Sequence, residues 1–134
     1  MKRRSPLFLS ILAASLTFFI YGCASAQTVK LTVQPGTQSI DIAASNFKFD
    51  PNLINIPSPG TYTLSVTNKS GLHHNITVKD PSGKVIAKQG LTPGKTVQVS
   101  VDFAETGTYP FLCTVDSHAE LGMTGKFQVG TASQ

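Results

Sequence analysis

The sequence predicts an all-β protein, a Greek-key β-sandwich of about eight short strands. Beyond residue 27, apolar and polar residues alternate through most of the chain, and Pro, Gly, Asn and Asp interrupt the alternation at short intervals. No stretch keeps a helical period for more than a turn or two. Each strand then offers one apolar and one polar face, as expected when antiparallel sheets pack over a shared core.

The elements follow in order. TVKLTV (28–33) sets Val29, Leu31 and Val33 on one side and QPGTQ (34–38) turns the chain, so residues 23–38 read as a tether or an extra strand ahead of a domain spanning 39–134. SIDIAASNFKFD (39–50) and NLINIP (52–57) come next, parted by Pro51 and closed by the turn signal PSPG at 57–60. TYTLSVTN (61–68) alternates Tyr62, Leu64 and Val66 with polar neighbours. HHNITVKD (73–80), DPSGK (80–84), VIAK (85–88) and LTPGK (91–95) read as strand, turn, short strand and turn. KTVQVSVDF (95–103) lines Val97, Val99, Val101 and Phe103 along one face. After ETG come TYPFLC (108–113), a loop, and a closing strand TGKFQV (124–129).

The front of the chain is of a different kind. Lys2, Arg3 and Arg4 precede an apolar run from Leu7 to Ile20, and small residues follow in GCASAQ, the pattern of a cleaved signal peptide. The run is shorter than the roughly 20 apolar residues of a membrane-spanning helix. Two processing sites compete. IYGC, ending at Cys23, resembles the lipobox of bacterial lipoproteins, although Tyr21 is bulky for it, and gives a leader of 1–22 with lipid on Cys23. ASA before Gln27 obeys the small-x-small rule and gives a leader of 1–26. The lipid route is preferred, because a spare exported cysteine otherwise needs a partner. Arg3-Arg4 hints at twin-arginine export, but Pro6 occupies a position where that signal prefers an apolar residue, which favours general secretion. The expected location is the periplasm or the outer face of the membrane, with the lipid as the only membrane attachment.

Three of the 11 basic residues lie in residues 1–4, which leaves 8 against 7 acids, about +1 for the processed chain. That balance argues against nucleic acid as a partner. Some 108–112 processed residues, 134 less the leader, suffice for a two-layer core without staples. The cysteines are Cys23 and Cys113. A disulfide between them is the ordinary reading for an exported chain, but Cys23 sits at the processing sites and makes a poor staple. Cys113 is then a lone thiol in an oxidising compartment unless something occupies it.

Cys113, His118 and Met123 are spaced five and five. Neither a helix nor a strand brings such a series to one face, so the three converge only if a loop folds back on itself. In HHNITVKD, His74 shares the inward phase of Ile76 and Val78, while His73 shares the outward phase of Asn75, Thr77 and Lys79. Taken alone, His74 reads as a buried histidine satisfied by a carbonyl, Met123 as core filler and His118 as a solvated loop residue. Their company changes this, because Tyr109, Phe111 and Cys113 share one phase and aim the thiol inward where regular structure stops. One thiolate, two imidazoles and one thioether suit copper; zinc rarely takes methionine, and Asp116 and Glu120 are too few for calcium.

These residues resemble the cupredoxins, the small blue copper proteins, over about Ile40 to Val129. HHNITV is similar to the strand in which a copper-binding histidine precedes an asparagine, here His74 and Asn75. GTYPFLC with His118 and Met123 resembles the ligand loop, and FKFDPNLINIPSPGTYTLSVTN resembles the family's opening strands. The resemblance implies one copper ion cycling between Cu(II) and Cu(I), held by His74, the Cys113 thiolate, His118 and an axial Met123. It further implies an Asn75 backbone amide near the Cys113 sulfur, an Asn75 side chain tying its strand to the loop, and a His118 ring edge at the surface. Plastocyanins have two residues between cysteine and histidine, whereas TVDS and AELG give two gaps of four, which resembles auracyanin or rusticyanin.

The implied function is electron transport, not enzymatic catalysis. The protein would act as a monomer that shuttles single electrons between redox proteins, a donor and an acceptor, docking transiently near His118 on a patch of Leu72, Leu121 and Gly122 beside the turn at Pro93 and Gly94. The alternative is a periplasmic copper-binding or delivery protein without electron transfer. Such proteins often use methionine- or histidine-rich sites without a thiolate, and only Met123 follows the leader here. An oxidase would need further copper centres, which His73 alone cannot build.

Overall fold

A computed structural model describes residues 28–34 and 37–130; Cys23 and the leader lie outside them. Ten strands are present among the described residues: β1 Lys30–Thr32, β2 Ser39–Ser45, β3 Lys48–Asp50, β4 Leu53–Ile56, β5 Gly60–Asn68, β6 His74–Lys79, β7 Val85–Leu91, β8 Thr96–Phe103, β9 Gly107–Leu112 and β10 Thr124–Val129. They form an all-β sandwich of two sheets, ordered β1-β4-β10-β9-β6-β7 and β3-β2-β5-β8. The count exceeds eight for two reasons. The stretch 39–50 is two strands hinged at Phe47, which has a left-handed φ of 58°, and the segment before residue 39 supplies β1 as an edge strand.

The sheets are mixed, not purely antiparallel. β4 runs parallel to both β1 and β10, and β2 runs parallel to β5, while the remaining pairs are antiparallel. β7 also extends past residue 88 to Leu91, because its ladder on β6 continues through Asn75↔Gly90 to His74↔Leu91. The longer pairing fixes the register of His74.

Alternation puts Ile40 and Ile42 of β2, Leu64 and Val66 of β5, Val99 and Val101 of β8, and Ile76 and Val78 of β6 into one core. An aromatic chain crosses it. Phe103 of β8 lies 5.0 Å from both Tyr109 of β9 and Phe127 of β10; Phe127 lies 4.7 Å from Phe111, and Phe111 lies 5.3 Å from Phe49 of β3. Tilted and edge-to-face pairs of this kind add about 0.5–1.5 kcal/mol each beyond area burial. At one end the Tyr109 hydroxyl donates to Glu105 O at 3.0 Å and accepts from Glu105 N–H at 3.1 Å, a tyrosine corner that anchors the start of β9. At the other end β9 runs straight from Phe111 to Cys113, so the packed core holds the strand that delivers the thiol.

Candidate metal centre

The loop between β9 and β10 is closed at its neck. Cys113 N–H donates to Met123 O at 3.0 Å, which extends the β9–β10 ladder past Leu112↔Thr124, and Met123 N–H donates to His118 O within the loop at 3.0 Å. Inside the neck the chain makes hydrogen-bonded turns, with His118 N–H on Val115 O and Leu121 N–H on Ser117 O, each at 3.1 Å. Gly122 reverses it with a φ of 105°, a conformation closed to most side-chain-bearing residues. The turn carries the His118 ring back over Cys113.

Three donor atoms meet. His74 Nδ1 and His118 Nδ1 are 3.0 Å apart, and Cys113 Sγ lies 3.5 Å from the His118 nitrogen and 4.0 Å from that of His74. Atoms at these separations share a centre in their plane about 2.1 Å from each, close to a first-row metal's bonds to imidazole and thiolate, about 2.0–2.3 Å. Two imidazoles and a thiolate are donors that suit copper. Cys113 is free and, like Met123, fully buried; His74 is 2% and His118 9% exposed. His118 is therefore the most exposed of the four, though only narrowly open to water, because the Phe47 ring stands edge-on to it at 5.0 Å. His73, at the outward phase, is exposed.

Burial, then the facing His118 ring and then His73, push the His74 pKa below its ordinary 6.5. The shift favours the uncharged ring, which has a lone pair to offer. Asn75 N–H points at Cys113 Sγ at 3.4 Å. The Asn75 side chain donates from Nδ2 to Thr114 Oγ1 at 2.9 Å, and its Oδ1 accepts from Thr114 N–H at 2.9 Å and the Thr77 hydroxyl at 3.2 Å. Asn75 and Thr77 are consequently buried, although both stand on the phase read as outward. Their polar groups bond one another and the loop instead of water.

Leu72 and Leu121 are 44% and 59% exposed, and Gly122, next to Leu121 in the chain, is exposed as well. The turn at Pro93 and Gly94 is joined to this end by Gly94 N–H on Asn68 O at 2.9 Å. Several residues at the site escape a reading of the sequence. Ser70 bonds His74 Nε2 at 2.8 Å, the buried Asn68 bonds Ser70, and Phe47 flanks His118. A hydroxyl four residues before a histidine is a faint signal for the first. Phe47 has none, since its partner is distant in the chain.

The fold and the buried sulfur–nitrogen cluster define a cupredoxin: the chain belongs to the cupredoxin-like domain family, whose model matches residues 10–126. Among solved structures it is similar to dithionite-reduced auracyanin of the photosynthetic bacterium Roseiflexus castenholzii, at 25% identity and a TM-score of 0.64 over 71% of this chain and 98% of that one. It is also similar in fold to auracyanin A, a "blue" copper protein of Chloroflexus aurantiacus, at 24% identity and a TM-score of 0.62 over 70% and 99%. Rusticyanin of Thiobacillus ferrooxidans shares the fold at 18% identity and a TM-score of 0.59, over 78% and 84%. A curated relative, the multicopper oxidase mco of Staphylococcus aureus, is 28% identical over 66% of this chain, which spans only 25% of that protein's length.

Proposed function

We propose that the chain is an exported type 1 copper protein, tethered to the outer face of the membrane through lipid on Cys23, that carries single electrons between redox proteins. The observation that carries this reading is the convergence of His74 Nδ1, His118 Nδ1 and Cys113 Sγ in a buried end of the sandwich, where the Met123 backbone bonds both Cys113 and His118. When bound, copper supplies a one-electron couple whose oxidised state favours nitrogen donors and whose reduced state favours sulfur. The residues do the rest. His74 is fixed on β6 and Cys113 at the end of β9, so neither needs to move when charge changes. Met123, whose backbone the neck of the loop holds, would offer the ion a weak thioether, and the Asn75 amide would temper charge on the Cys113 sulfur.

Electrons would pass through the His118 edge, with Leu72, Leu121 and Gly122 as a small apolar surface for brief docking of a monomer. The thiolate donor favours this role over copper delivery. The oxidase likeness covers a quarter of that protein and does not bring its reaction, which needs further copper centres. Titrating purified protein with Cu(II) tests the reading. It predicts an intense visible charge-transfer band that saturates at one equivalent and bleaches reversibly with a mild reductant. A colourless complex, or one that does not recover its colour on reoxidation, contradicts it.

A further inference from the structure

We infer that Ser70 is a positioning residue for His74: its hydroxyl, oriented by the buried Asn68, holds the imidazole in the tautomer with the proton on Nε2 and the bare lone pair of Nδ1 turned to the site. The inference rests on the copper reading for its use but not for its geometry.

The Asn68 amide is fixed first. Its Nδ2 donates to Leu72 O at 2.8 Å and Leu91 O at 2.9 Å, and its Oδ1 accepts from Ser70 N–H at 3.0 Å. Flipping the amide would set an oxygen against two carbonyls and an N–H₂ against an N–H, so the surroundings permit one orientation. Asn68 is completely buried, with no water to relieve a mismatch.

Ser70 Oγ then has four neighbours and one proton. Asn68 Oδ1 at 2.9 Å and Leu72 O at 3.2 Å only accept, and Leu72 N–H at 3.2 Å only donates. The fourth neighbour, His74 Nε2 at 2.8 Å, can do either. If the hydroxyl donated to His74, its lone pairs would face those of Asn68 Oδ1 at 2.9 Å and Leu72 O at 3.2 Å with no proton between. Donation to Asn68 removes the nearer conflict and leaves Oγ to accept from Nε2–H. At the far side of the ring, His74 Nδ1 and His118 Nδ1 stand 3.0 Å apart, so at most one of them carries a proton. Ser70 decides that the bare one is His74's. Its side chain thus acts through the ring without touching the metal position.

Nitrogen-15 imidazole spectra of the metal-free protein read this directly. In the parent, His74 is expected to show a proton on Nε2 that exchanges slowly with water and an unprotonated Nδ1; a proton on Nδ1 instead overturns the inference. Ser70→Ala should abolish the slowly exchanging Nε2–H signal and weaken copper binding about tenfold to a hundredfold. Ser70→Thr, which keeps the hydroxyl, should restore both. An Nε2–H signal and an affinity unchanged in Ser70→Ala would also overturn it. Because the spectra need no copper, a parent that shows the tautomer yet never turns blue contradicts the electron-transfer reading and leaves this inference standing.

Discussion

Replacing Asn75 with alanine tests how much the tie between β6 and the metal-site loop contributes. The substitution removes three side-chain hydrogen bonds: two to Thr114 at 2.9 Å and one from the Thr77 hydroxyl at 3.2 Å. Thr114 is exposed, so water replaces much of what it loses, whereas Thr77 is 2% exposed and its hydroxyl is left without a partner. With a neutral hydrogen bond worth roughly 1 kcal/mol net and a stranded buried donor costing about 1–3, the total is about 2 kcal/mol, or about 30-fold in the unfolding constant. Urea unfolding of the metal-free protein measures it; at a slope of about 1–2 kcal/mol per molar, the midpoint should fall by about 1–2 M with the slope unchanged. The backbone N–H on Cys113 Sγ survives the substitution, so the copper-bound variant should keep its visible band while binding about tenfold or more weakly. A midpoint within a few tenths molar of the parent would show that the Asn75 side chain does not hold the loop, and complete loss of colour would show that the site needs it.

His74→Ala should alter or abolish the visible band and His73→Ala should leave it; absorbance titrations compare the two, and the reverse result defeats the strand-phase argument. Gly125→Ala would drive a Cβ into the Phe111 ring and set it 2.7 Å from Asn52 O, a clash that neither a packed ring nor a backbone carbonyl relieves cheaply. It should cost at least about 1–3 kcal/mol in thermal or urea unfolding. The Asp80 carboxylate accepts from the Ser82 hydroxyl and from the N–H groups of Ser82 and Lys84, and these bonds, the Ser82 hydroxyl foremost, hold its pKa below 3.8. The stability this turn contributes is therefore complete above the ordinary carboxylate value and drains away as pH falls through the lower folded-state value. In Asp80→Asn, urea midpoints measured from pH 5 to 2 should fall less steeply with acid than in the parent.

Where a pattern is local, the sequence is a good guide. TYTLSVTN and KTVQVSVDF alternate cleanly and become β5 and β8 almost residue for residue, and the phase of HHNITVKD separates the buried His74 from the exposed His73. The loop spacing likewise singles out residues that a folded-back loop brings to one end of the sandwich. What stayed hidden depends on distant partners. Phe47 breaks the 39–50 stretch in a conformation rare for an aromatic residue, and the ring it supports, His118, comes from another part of the chain. β7 is longer than VIAK suggests because pairing with β6, not its own composition, sets its end at Leu91. The parallel pairing of β2 with β5 and of β4 with β10 leaves no mark on either strand alone. Ser70 and Asn68 are ordinary turn residues by type; only closure of the 68–74 loop shows that the hydroxyl meets a ring nitrogen.

Protein-film voltammetry of the copper-loaded protein shows whether this rigid sandwich end lets one electron come and go with little rearrangement. A single reversible one-electron wave is expected, with oxidation and reduction peaks that stay close together as the scan rate rises. Absence of a wave, or peaks that separate widely even at slow scan, would contradict it and leave a protein that holds copper without passing electrons.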